Sequence, residues 1–189
     1  MLNLYKLIEI LVSLQSIIIS ALLPVYIPLP LKNLYNNSLD FPITMQIPIL
    51  ILLTLIFDRK VVLKAFTIYV ILGLFIFPVF HQGGSVGYLL TPNFGYLLGI
   101  FPLILIIDKL NKRNIINIRN FLKNGFLAIS AMHLTGITYN IIQLTNYNKF
   151  HIFFYNLGKY SFGKIGYHLI MLIPIMILIR PIKYFKYNK

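Results

Sequence analysis

The residues able to do chemistry in this chain are few and lie near the ends of apolar runs. Thr44 and Gln46, in Phe41-Pro42-Ile43-Thr44-Met45-Gln46, bring a hydroxyl and an amide that both donate and accept hydrogen bonds. Gly83-Gly84-Ser85-Val86-Gly87 follows a proline-bearing stretch. Glycine there admits positive φ and close backbone approach, leaving amide N–H groups for an anion or a carbonyl. Tyr96 stands in Pro92-Asn93-Phe94-Gly95-Tyr96-Leu97-Leu98-Gly99, and Lys164, Tyr167 and His168 gather later. Lys164 and His168 are four residues apart, so on a helix they share a face where basic groups could receive a carboxylate. Donors, acceptors, flat rings and a cation make a chemistry of holding a small molecule. Each group also has a plainer role. Thr44 and Gln46 can bond to neighbouring helices, the glycines can form an ordinary turn, and Gly95 and Gly99 can let a helix approach. Tyr88, Tyr96 and Tyr167 can sit in an interfacial belt, and Lys164 can snorkel to headgroups.

Bond-making chemistry lacks its parts. Glu9, Asp40, Asp58 and Asp108 are the only carboxylates, scattered along the chain, and there is no cysteine. No His-x-x-x-His or acidic pair offers a metal site. The glycine turn lacks the Lys-Ser/Thr of a phosphate loop. No catalytic residue, metal or cofactor is therefore expected, and the chain reads as something other than an enzyme. His133 lies mid-run in Ser130-Ala131-Met132-His133-Leu134-Thr135-Gly136. An ionisable group at such depth is a functional candidate by default, while a neutral imidazole bonded to a helix neighbour would serve equally well.

The elements that must position these residues are membrane helices. Of 189 residues 58% are hydrophobic and 11% charged, with mean hydropathy +0.81. Soluble domains carry about 25% charged residues, so lipid must solvate most of this surface. Apolar runs mark six spans at 7–24, 41–57, 61–80, 93–107, 121–143 and 163–180, in a single transmembrane domain over 1–189. Backbone polar groups cannot go unpaired in hydrocarbon, so the runs should be helices. Ile49-Leu50-Ile51-Leu52-Leu53 is apolar on every face, unlike the alternation of a β-barrel strand. The first run reads as a span, because Glu9 and Leu22-Leu23-Pro24 fit a cleavable signal poorly. Seventeen Lys and Arg fall in the gaps, thirteen on one side and four on the other. Their scatter suits anionic lipid headgroups rather than nucleic acid. Positive-inside bias puts both termini in the cytoplasm. Thr44, Gln46, the glycine turn, Lys164, Tyr167 and His168 then converge outside, which predicts a pocket open to that face.

The stretch from 41 to 99 resembles the BioY family, biotin-specific S-components of energy-coupling-factor (ECF) importers. The resemblance lies in Pro42-Ile43-Thr44-Met45-Gln46, in Phe77-Pro78-Val79-Phe80 followed by Gly83-Gly84-Ser85-Val86-Gly87, and in Thr91-Pro92-Asn93-Phe94-Gly95-Tyr96-Leu97-Leu98-Gly99. It implies an all-α, six-helix S-component-like bundle in the cell membrane that captures biotin at the outer face as a transported substrate. Thr44, Gln46, Gly83, Gly84, Ser85 and Tyr96 would lie in or beside the pocket. The partners implied are a coupling transmembrane subunit and ATPase subunits, or a solitary mode. The chain departs from the family in places: the Ala-x-x-x-Ala contact of the first span is not evident, the loop around Tyr26 to Asn37 is longer than usual, and the family's Pro-Gly-Asp-x-x-Lys is here Phe162-Gly163-Lys164-Ile165-Gly166-Tyr167. The ligand's carboxylate would then meet Lys164 or His168. Biotin's polar ureido ring, apolar thioether body and anionic tail match the amides, aromatic rings and basic mouth. The competing readings are an S-component for another vitamin or small solute, and a membrane interaction protein without a ligand.

Overall fold

A computed structural model describes residues 4–25, 43–81, 83–111, 117–144 and 150–187, without side chains at 110, 111, 144, 150 and 185–187. The loop expected at 26–40, with Lys32 and Asp40, lies outside the described residues, as do Phe41, Pro42, Lys112, Arg113 and Lys149. The described chain is nearly all helical, as apolar surroundings demand of a backbone that must pair its own N–H and C=O groups.

Helix α1 (Leu4–Leu22) leads into β1 (Pro24–Val25), which pairs antiparallel with β2 (Ile43–Thr44), Pro24 opposite Thr44. Helices α2 (Gln46–Ile56) and α3 (Arg59–Phe75) follow, then a 3₁₀ turn over Val86–Leu90. Next come α4 (Pro92–Leu98), α5 (Ile100–Asn111) and α6 (Ile118–Leu144). The chain ends with α7 (Phe150–Leu157), a π-helical turn over Gly158–Phe162, α8 (Gly163–Ile170) and α9 (Leu172–Tyr187). Four stretches are long and apolar enough to cross a bilayer: Leu4–Leu22, Pro92–Lys109, Ile118–Gln143 and His151–Tyr184. Helices α2, with 11 residues, and α3, with 17, fall short of the ~20 of a standard crossing.

The helix limits depart from the apolar runs for local reasons. Thr44 is not inside the second helix: β1 holds it as a strand, Met45 N–H donates to Leu23 O at 3.3 Å, and α2 begins only at Gln46. Helix α3 stops at Phe75 because Pro78 cannot donate and disfavours helical dihedrals in the residue before it. The short fourth run lengthens to Pro92–Asn111 as α4 and α5 meet at Gly99, with Pro92 pre-set for the first helical turn. The last run begins at 150 rather than 163, through the π turn.

The core joins Ile17 of α1, Leu50 and Ile51 of α2, Phe66 and Tyr69 of α3, Leu103 and Ile104 of α5, and Ile129 of α6. Leu11, Ile19, Ile71, Leu134, Ile142 and Ile177 are exposed, as lipid-facing positions would be. One end of the bundle carries the β1–β2 pair. At the other, Arg59 Nη1 lies 3.7 Å from Asp108 Oδ2, so Asp108 pairs across helices rather than with its neighbour Lys109.

Helices α4 and α5 press tightly on α6. A Cβ at Gly99 would lie 2.5 Å from Met132 O and 2.9 Å from Met132 Cα. Added to Gly95 or Gly136, it would strike the Tyr139 or the Tyr96 ring respectively. The Gly95-xxx-Gly99 pair thus serves close helix approach. Because the Met132 atoms are backbone and cannot swing aside, Gly99→Ala should lower stability by about 1–3 kcal/mol. Thermal unfolding in detergent checks this; an unchanged midpoint would contradict the contact.

Candidate functional site

A narrow cavity of about 90 Å³ lies where β2 meets α2. Ligand pockets usually hold about 300 Å³ or more, so a ligand must turn aside side chains at the mouth. One wall carries Thr44, Gln46 and Ile47; another carries Tyr88, Asn93, Tyr96 and Leu97. Ile100 and Met132 make an apolar floor, and His133, Tyr160, Lys164 and His168 face them, with His81 also lining the space.

The local fold explains these placements. The β1–β2 pair fixes Thr44 and delivers Gln46 as the first residue of α2. Gln46 approaches the Tyr69 hydroxyl, yet its Nε2 is buried without a hydrogen-bond acceptor. The π turn and α8 set Tyr160, Lys164 and His168 four residues apart, on one face. Lys164 Nζ lies 5.4 Å from the centre of the Tyr160 ring, and Lys159 Nζ lies 5.5 Å from the same ring. Among the described residues Lys164 has no carboxylate partner, since Asp108 is taken by Arg59 at the far end. A lysine on a helix points back toward its N-terminus, so the ammonium sits nearer the mouth than the His168 ring one turn deeper.

His168 and His133 are both buried, with His133 Nε2 3.3 Å from His168 Nδ1. His133 Nδ1 lies 3.3 Å from Ser161 Oγ, which is 2.7 Å from the Tyr96 hydroxyl. At the rim, burial and the nearby Lys164 charge push His81 below its ordinary value. Burial, reinforced by Tyr160 and opposed by a hydrogen bond with Asn93, pushes the Tyr88 phenol up to about 12. Tyr88 is therefore a neutral donor at any physiological pH.

Of the residues singled out in sequence, Thr44, Gln46, Tyr88, Tyr96, His133, Lys164 and His168 surround one cavity. Gly83, Gly84 and Ser85 are not among its lining residues. Gly83 takes φ +96°, and a Cβ on Gly84 would lie 2.5 Å from Gly73 O, so Gly84 packs on the end of α3. Tyr167 points to the β2–α2 corner, its hydroxyl donating to Met45 Sδ at 3.1 Å. His81, Asn93, Tyr160 and Ser161 were not singled out in sequence. Tyr160 and Ser161 precede Lys164 by four and three residues, the spacing of one helical face, which is the signal that could have found them.

The sequence model of the BioY family matches residues 2–176. The chain belongs to the BioY family. A relative from Lysinibacillus sphaericus, "Probable biotin transporter BioY", is 28% identical over 119 residues, 62% of this chain and 56% of the relative. The match thus spans little more than half of that relative's length. The crystal structure of the S-component for biotin from an ECF-type ABC transporter superposes with a TM-score of 0.66 at 19% identity, covering 97% of this chain and 95% of that one. This likeness establishes an S-component fold, and with the apolar helices it makes this BioY member a multi-pass membrane protein.

The lowered His81 pKa has a measurable consequence. Unfolding frees His81 to its ordinary value near 6.5, so below that pH the unfolded chain binds a proton the folded chain resists. Stability from this group is present above pH ~6.5 and lost as pH falls toward the lower folded value. Denaturation midpoints from pH 7.5 to 5 should therefore fall less in His81→Gln than in the parent. Parallel curves would show that His81 is not held neutral.

Proposed function

We propose that the chain is the substrate-binding membrane subunit for biotin uptake, capturing the vitamin at the outer face. The observation that carries this reading is a pair of unmet demands on one cavity. The Gln46 Nε2 donor lacks an acceptor, and the Lys164 ammonium lacks an anion among the described residues. A buried donor without a partner costs about 1–3 kcal/mol, and a ligand with an acceptor oxygen at one end and a carboxylate at the other relieves both. Biotin has that form. Its tail meets Lys164 near the mouth, its thioether body lies on Met132, Ile100 and Leu97, and its ureido carbonyl reaches Gln46. The relative's name and the superposed S-component, both of which speak of biotin, support the choice.

Capture as described needs no bond to break. The chain binds, and energy for uphill movement comes from elsewhere: a coupling transmembrane subunit with ATPase subunits is the partner set this reading implies. Six crossings with both termini cytoplasmic remain the topology we propose. Thirteen of the seventeen basic residues would then face the cytoplasm.

Calorimetry of the purified chain tests the ligand. Biotin should bind tighter than micromolar and thiamin, a cation, should not. Binding of another solute alone would replace biotin, and no binding of either would overturn the reading. Gln46→Ala should cost 5- to 150-fold in affinity, the equivalent of about 1–3 kcal/mol. Lys164→Ala should weaken biotin by a charge-assisted bond, about 1.5–3 kcal/mol, while hardly changing biotin amide. Equal losses for acid and amide would remove Lys164 from the tail.

Reporter fusions test the topology. One after Lys32 should read external and one at Asn188 cytoplasmic. A cytoplasmic signal from the first would reverse the assignment.

A further inference from the structure

Behind the cavity runs a chain of hydrogen-bonding side chains built only from groups that both donate and accept. It starts at the Tyr96 hydroxyl, passes Ser161 Oγ at 2.7 Å and His133 at 3.3 Å, and ends at His168 a further 3.3 Å on. Tyr96, His133 and His168 line the cavity and Ser161 does not. Ser161, His133 and His168 are 5%, 3% and 6% exposed, so water does not compete for them. No carboxylate among the described residues joins the chain, and Lys164 stands one helical turn from His168. Beside that cation the two imidazoles are better neutral, each with one N–H and one lone pair.

Such a chain has two polarities. In one, Tyr96 O–H donates to Ser161, Ser161 O–H to His133 Nδ1, and His133 Nε2–H to His168 Nδ1, so His168 Nε2 carries a hydrogen to give. In the other every bond reverses: His168 Nε2 becomes an acceptor and Tyr96 O–H a free donor. A phenol is a stronger donor than an aliphatic hydroxyl, which favours the first. The imidazole tautomers are thus set by Ser161, a residue that need not touch a ligand.

The geometry points to this chain as a neutral specificity element that reads the uncharged head of the ligand. It takes a cyclic urea, whose carbonyl, with two lone pairs, accepts from His168 as well as from Gln46, both of which line the cavity, and it rejects a cationic head. The assignment rests on the biotin reading above and adds the residues that choose the head group: His168 by contact, His133 and Ser161 by positioning it. A head that offers N–H where the urea offers C=O meets a donor facing a donor.

The probe is 2-iminobiotin, which keeps the tail and the thioether ring but replaces the urea carbonyl by a guanidinium that is cationic at neutral pH. Calorimetry on the purified full chain at pH 7 should show it at least ~100-fold weaker than biotin, with desthiobiotin, which keeps the urea, within ~10-fold of biotin. Ser161→Ala and His133→Asn release His168 to turn over and accept. Each should narrow the ratio of biotin to 2-iminobiotin affinity by ~10-fold or more, while the ratio of biotin to biotin amide stays as in the parent. Ser161→Thr, which keeps the hydroxyl, should restore the parental ratio. A purely structural role would lower all ligands together and leave both ratios unchanged. If folded variants do that, or if the parent binds 2-iminobiotin as well as biotin, the neutral reader is wrong while the biotin reading stands. If the parent binds no biotin, both fall.

Discussion

The contact on which the site depends is the close approach of α4 and α5 to α6. Without a hydrophobic drive between helices in lipid, association rests on packing, and small residues let backbones meet. Gly99 lies against the Met132 backbone, Gly95 accepts the Tyr139 ring and Gly136 accepts the Tyr96 ring. Those contacts fix where Tyr96 and His133 face each other, their rings 5.7 Å apart. Tyr139 and Gln143, one turn apart on α6, both donate to Leu89 O, tying the 3₁₀ turn down over the same interface. A wider gap between these helices would separate Tyr96 from His133, which Ser161 bridges, and loosen the wall formed by Tyr88 and Asn93.

Charge placement follows from the same scarcity of water. The bundle keeps the ion pair of Arg59 with Asp108 at the end opposite the cavity. At the cavity it leaves Lys164 with a tyrosine ring and Lys159 with two. Aromatic faces attract an ammonium without neutralising it. The electrostatic sign of the mouth therefore survives folding, which an internal carboxylate would have cancelled. The rest of the lining is neutral, with Tyr88 held protonated by burial.

Much of this was legible in the chain itself. The helical class followed from apolar runs that show no alternation, and the family from motifs between 41 and 99 whose spacing is intact. Helix limits were less legible, because tertiary pairing overrode hydropathy. Ile43 and Thr44 fall at the start of an apolar run, yet β1 claims them. The apolar residues at 76–80 continue a run that proline ends. Gly83-Gly84 carried the signal of a tight turn; the approach of Gly84 to the backbone of Gly73 is a contact between segments that no local pattern records. The polar chain was the least legible part. His133 and His168 are thirty-five residues apart and meet only after α6 and α8 pack, and Ser161 reaches them through a π turn that propensity does not announce.

That π turn bears on how tightly anything can be held. By taking an extra residue into one turn it brings Lys159 and Lys164 around the Tyr160 ring. Lys164 thus has a partner before any anion arrives, worth about 0.5–2 kcal/mol depending on how dry the ring is. A charge-assisted bond to a carboxylate returns about 1.5–3 kcal/mol. The exchange favours the anion, but only by the difference, and moving the ammonium off Tyr160 also clears space in a cavity too narrow for a bicyclic ligand. The repulsion between Lys159 and Lys164 pushes the same way, since both charges are better apart or neutralised. On the proposed reading the ligand must also be given up, and a cation that exchanges one partner for a modestly better one permits both capture and release. A buried Lys–carboxylate pair in the same place would have had to break before the ligand could bind.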